Sequence, residues 1–173
     1  SSTPGTSVAP LTVRTRIRSP KIPMRSTYAR SNAGVRTSNP PVAGENAVER
    51  AFAAATRHVG AATATVIVEI DSEIPMAAGL GSSAAATVAG LRVFEQVTAS
   101  LPDSTLLAIA TELEGHSDNA AAALLGGMTS VVDDERKPQA LRWEWPDDVR
   151  VIVATPFTGL ATSKARAALA STI

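Results

Sequence analysis

Two short stretches of this chain concentrate the residue types that could do chemistry. The first is Gly79-Leu80-Gly81-Ser82-Ser83-Ala84, followed by an alanine-rich run. Glycines one residue apart let the backbone turn tightly and approach a ligand closely. A helix starting just after them would offer unpaired N–H groups and the positive end of its dipole, a ready cradle for phosphate. The second stretch is Glu114-Gly115-His116-Ser117-Asp118-Asn119. It packs two carboxylates, an imidazole and an amide into six positions. Beside a phosphate loop, Glu114 and the hydroxyl of Ser82 or Ser83 could hold Mg²⁺ through oxygen, the donor a hard cation prefers. Asp118 could orient or polarise an acceptor hydroxyl.

Each stretch also has a plainer reading. The glycine loop could be a tight turn and nothing more, Asp118 and Asn119 could be helix caps, and Glu114 a solvated last-turn residue. Among nucleotide loops, the lysine-bearing phosphate loop is excluded, because no lysine occurs between Lys21 and Lys137. The loop does satisfy G-x-G-x-x-A, the dinucleotide fingerprint. That reading ranks low: the expected strand ends near Ile70, Pro75 intervenes, and Asp103, near the position of the ribose-binding acid, falls in a loop. His58 reads as a helix-surface residue, and Asp133-Asp134-Glu135 as a solvated turn.

These residues need elements to position them. Val48, Ala51, Phe52, Ala55 and Val59 recur at helical spacing and Gly60 follows at a natural C′ position, which predicts a helix. ATATVIVEI, residues 62–70, is rich in β-branched residues and predicts a strand. Helices are expected from about Ser82 to Gln96, from about Ser104 to Leu113 after a Pro102-Asp103-Ser104 cap, and from Asp118 to the Gly126-Gly127 stop. Short strands are expected at 128–132, 141–145 and 149–154, and a last helix from Thr162 to Leu169. Strands and helices do not alternate regularly, so the expected class is α+β.

Composition bounds the rest. The 173 residues are 45% hydrophobic and only 3% aromatic, so the core must be built from small aliphatic side chains. With no cysteine, disulfides, thiolate metal sites and cysteine nucleophiles are excluded. No apolar run approaches the ~20 residues of a membrane span. The net charge of zero hides an asymmetry. Residues 1–44 carry Arg14, Arg16, Arg18, Lys21, Arg25, Arg30 and Arg36 and no acid, while every Asp and Glu lies beyond them. This Ser- and Pro-rich stretch reads as a disordered basic leader. An organellar transit peptide or a nucleic-acid arm are its rivals. The domain is expected over 45–173.

PMAAGLGSSAAATVAGL, residues 75–91, resembles the ATP-binding motif of the GHMP kinases, the superfamily named for galactokinase, homoserine kinase, mevalonate kinase and phosphomevalonate kinase. EGHSDNAAAALLGG resembles its homoserine kinase branch, whose usual form has Pro where Ser117 stands here. Thr155-Pro156-Phe157 with Ala161-Thr162-Ser163-Lys164-Ala165-Arg166 resembles that branch's T-x-x-A-R segment. The resemblance covers about Gly44 to Leu169. It implies a GHMP kinase N-terminal domain with a left-handed βαβ crossover, and ATP- and Mg²⁺-dependent phosphorylation of the side-chain hydroxyl of L-homoserine, on the route to threonine. By the same resemblance, Pro75, Gly79, Leu80, Gly81, Ser82, Ser83 and Ala84 would bind the nucleotide, and Ser83 and Glu114 the metal. Asp118, Asn119 and Arg166 would be catalytic, and His116, Asn119, Thr162 and Arg166 would face the substrate, with Arg166 forking onto its carboxylate.

The family's opening motif, P-A-T-x-A-N-L-G-x-G-F-D, has no match in residues 1–44, and its second domain is not found. The expectation is therefore a chain truncated before the C-terminal domain and weakly active, with a non-catalytic remnant of the fold, or another GHMP kinase such as a mevalonate-type enzyme, as alternatives. A small-molecule substrate is expected, with no nucleic-acid or membrane partner. A dimer is compatible with the sequence. The expected location is cytoplasmic, with an organelle as the rival.

Overall fold

The computed structural model describes residues 11–17, 46–62, 66–72, 74, 78–132 and 137–153. Two strands open the order: β1, Leu11–Ile17, and β2, Val66–Ser72, pair in parallel with Leu11 opposite Val66 and Ile17 opposite Ser72. In sequence the helix α1, Ala47–Val59, lies between them. LTVRTRI alternates Leu11, Val13, Thr15 and Ile17 with Thr12, Arg14 and Arg16, a period of two that suits a pleated strand. These seven residues fall within the stretch expected to be a leader and form a sheet element instead. The arginines mask the pattern: composition over residues 1–44 is basic and rich in Ser and Pro, and the alternation shows only over these seven.

Asn46 caps α1, its side chain accepting the Val48 N–H at 2.8 Å. Gly60, at φ 64°, ends it, and the Ala61 N–H reaches back to the Thr56 carbonyl at 3.1 Å. Val48, Ala51 and Ala55 are buried as the spacing predicts. Val59 is exposed and Thr56 is buried in its stead, with its hydroxyl donating to the Phe52 carbonyl.

The central element is α2, Ser82–Val97, which touches α1, α3, α4 and β1. α3 spans Asp103–Glu114 and α4 spans Asp118–Leu125. The core gathers Ala51, Ala55, Leu91, Phe94, Leu106 and Ala110 with the α4 alanines 120 and 121. Phe52 meets the Phe94 ring edge-on, centroids 5.9 Å apart. With so few large side chains, helices must come close together. At Gly90 an added Cβ would overlap the Val48 carbonyl oxygen and lie 2.9 Å from the Ala51 Cβ.

A second, antiparallel ribbon follows: β3, Met128–Val132, pairs with β4, Gln139–Trp143. Val131 and Ala140 face the core, while Met128, Val132, Leu141 and Trp143 are exposed. β4 begins two residues before the expected 141 and ends two before 145. Residues 149–153, read as strand from their β-branched content, are irregular. β-Branched side chains need a ladder partner to make a strand, and these have none among the described residues. The helix expected over 162–169 lies outside the described residues. Among the described residues, parallel and antiparallel ribbons with four helices make an α+β domain.

Candidate functional site

The site is built where two helix starts and one helix end meet. Gly79 and Gly81 lead into α2 with φ of 73° and 72°, left-handed backbone that glycine adopts freely. Gly81 occupies the cap position and brings no side-chain cap. The first intrahelical bond runs from Ala85 N–H to the Gly81 carbonyl, so the amides of Ser82, Ser83 and Ala84 precede the helical ladder and point outward. Gly79 and Leu80 are exposed, Ser82 is half-buried, and Ala84 anchors the turn in the core at 1% exposure.

Glu114 reaches this point from the last position of α3. Its Oε1 accepts the Ser83 hydroxyl at 3.1 Å and the Thr87 hydroxyl at 2.6 Å. Ser83 and Thr87 are four apart on α2, hence on one face. Gly115, at φ 76°, stops α3 immediately after Glu114, and the chain re-enters a helix after only two more residues. That tight connection brings Asn119 back to the glycine turn. A Cβ placed on Gly81 would lie 3.9 Å from Asn119 Cγ.

His116 and Asp118 lie beside this junction. His116 Nδ1 is buried and sits 2.8 Å from Asp118 Oδ1, near enough for an ion pair when the ring is protonated but without the alignment of a hydrogen bond. Asp118 Oδ1 also accepts the Asn119 N–H at 2.7 Å. Asp118 is thus the first residue of α4 and satisfies one of its amides, while the cap position belongs to the buried Ser117. The Asp118 side chain remains 61% exposed.

The glycine loop, Ser83, Glu114 and Asn119 are therefore brought together, with Asp118 and His116 at the rim. Pro75, Thr162 and Arg166 lie outside the described residues. Thr87 escaped the sequence reading. Its signal was there: a hydroxyl one helical turn beyond Ser83, on the same face, in the otherwise apolar run from Ala84 to Leu91.

The donor set fits a magnesium–nucleotide pair. Near the open amides stand a hydroxyl and one carboxylate, all oxygen. No group of three or more His, Cys, Asp or Glu side chains among the described residues could cage a metal alone. Magnesium is commonly held in this way, by one or two carboxylates with water and substrate phosphates completing the shell. Among the described residues no helix is long and apolar enough to cross a membrane.

Residues 46–127 match the model of the GHMP kinases N terminal domain. A homoserine kinase of Deinococcus radiodurans is 41% identical over 125 residues, covering 72% of this chain and 41% of that protein. A homoserine kinase of Synechocystis is 39% identical over 126 residues, with the same coverage of 72% and 41%. In fold, the crystal structure of homoserine kinase from Cytophaga hutchinsonii superposes with a TM-score of 0.57 at 24% identity, covering 94% of this chain and 48% of that one. The chain spans less than half the length of the relatives it matches. The open helix start and the carboxylate that meets it both fall within the matched segment: residues 46–127 of this chain form a GHMP kinases N terminal domain.

Proposed function

We propose that this domain binds ATP with Mg²⁺ and serves the phosphorylation of the side-chain hydroxyl of homoserine, as a cytoplasmic enzyme of threonine synthesis. The observation that carries the reading is Glu114 hydrogen-bonded to Ser83 at the uncapped start of α2, a carboxylate held against a phosphate cradle. The amides of Ser82, Ser83 and Ala84 would take phosphate oxygens, with Gly79 and Gly81 allowing the close approach. Ser83 and Glu114 would hold the metal, whose role is to screen charge on the phosphates. Asp118 and Asn119 would orient the acceptor hydroxyl, and Arg166 and Thr162 would grip the amino-acid end of the substrate. Chemistry of this type rests on positioning and charge stabilisation rather than on a strong base. The choice of homoserine rests on the relatives bearing that name at about 40% identity.

Two measurements test this. Calorimetric titration of the chain with Mg-ADP should show binding that Gly81→Val removes, and undiminished binding in that variant would return the loop to a mere turn. ADP release should then depend on homoserine and not on mevalonate. A coupled assay with high enzyme concentration is the appropriate form. ADP release that follows mevalonate would reassign the substrate within the family.

A further inference from the structure

We infer that Thr87 is a positioning residue for Glu114, fixing the carboxylate so that it can meet the metal; the inference rests on the kinase reading of the site. Thr87 is 1% exposed and sits one turn into α2, and its hydroxyl donates to Glu114 Oε1 at 2.6 Å, the shorter of the two bonds that carboxylate accepts. Helical threonines ordinarily have a local alternative, a bond to the carbonyl four residues back. Two others in this chain take it: Thr56 donates to the Phe52 carbonyl and Thr111 to the Leu107 carbonyl, each at 2.8 Å. Thr87 forgoes that bond and reaches across to the end of α3 instead.

The consequence lies in which oxygen is used. Thr87 and Ser83 both converge on Oε1, which leaves Oε2 without a side-chain donor among the described residues. Ser83 is exposed and its hydroxyl can turn toward a cation or water. Thr87 is β-branched, stiff at χ1 and walled in, so its bond persists whichever way Ser83 turns. A charge-assisted bond from a buried, rotamer-locked donor is what holds a ligand carboxylate in register.

The test uses the full chain and Mn²⁺ as a paramagnetic stand-in for Mg²⁺. Free Mn²⁺ is counted by electron paramagnetic resonance in the presence of ADP, and metal-free ADP affinity is measured separately. Thr87→Val, which matches the shape and lacks the hydroxyl, should weaken Mn-ADP binding by about 10-fold or more, while leaving metal-free ADP affinity and the helical circular dichroism unchanged. Thr87→Ser should restore the metal affinity. If the valine variant does not fold, Thr87→Ala, which adds no bulk, carries the same comparison. Unchanged metal affinity in a folded hydroxyl-free variant, with the parent binding Mn-ADP, would overturn the positioning role and leave the kinase reading standing. A parent chain that binds neither ADP nor Mn-ADP would overturn the kinase reading and the inference together.

Discussion

At the scale of single residues, the site turns on Glu114, whose Oε1 is shared by two hydroxyls from one face of α2. Glu114→Gln keeps volume and an acceptor oxygen for both, so the fold should survive. The lost charge should cost metal affinity by at least ~10-fold, read by Mn²⁺ resonance. Gly81 poses a different constraint. The space beside it admits a Cβ, since Asn119 is 3.9 Å away, so the obstacle is its φ of 72°. Gly81→Ala should therefore destabilise by about 1 kcal/mol in urea unfolding, as left-handed backbone costs an L-residue. Gly79 and Gly81 were legible in the sequence because two glycines before a serine pair announce a turn into a helix. Thr87 was not, because a hydroxyl in an alanine-rich helix looks like filler and its partner lies 27 positions away.

At the scale of elements, α1 and α2 approach so closely that Gly90 lies against the Val48 backbone. Gly90→Ala must push the helices apart, and a loss of about 1–3 kcal/mol is expected from overpacking, measured by chemical denaturation. The α2–α3 connection is held differently. Arg92 bridges Glu95 at 2.6 Å and Asp103 at 3.2 Å, while Glu95 also accepts the Leu101 N–H at 3.0 Å. Burial opposes the charge on Glu95, but the Leu101 amide, Arg92 and the Ser100 hydroxyl together outweigh it and hold its pKa below the ordinary carboxylate value. In the window between those two values the unfolded chain binds more protons at this position than the folded chain. The stability this group adds is thus present above the ordinary value and lost as pH falls through the folded one. Glu95→Gln should flatten the acid limb of a stability-against-pH curve, and an unchanged acid limb would refute this account. The helices were readable from the sequence, since spacing and glycine stops mark them out. The strands were less so: 149–153 has the composition without a partner among the described residues, and β1 has a partner but a composition dominated by its surroundings.

At the scale of the whole molecule, two ribbons flank a helical centre, and they differ in how far the chain travels to close them. β3 and β4 are near neighbours in sequence, whereas Leu11 and Val66 meet across about 55 positions. The glycine loop, α3 and α4 all lie on the C-terminal side of β2, so the candidate site does not wait for the distant strand. Contacts between α2, α3 and α4 are short-range and can form early, while the parallel pair must first meet the entropy of ring closure. The expected folding order is therefore helices first and β1 last. Native-state hydrogen exchange should find the β1 amides opening at lower free energy than those of α2 and α3. Equal protection across both would mean that the distant strand closes in the same cooperative step as the helices.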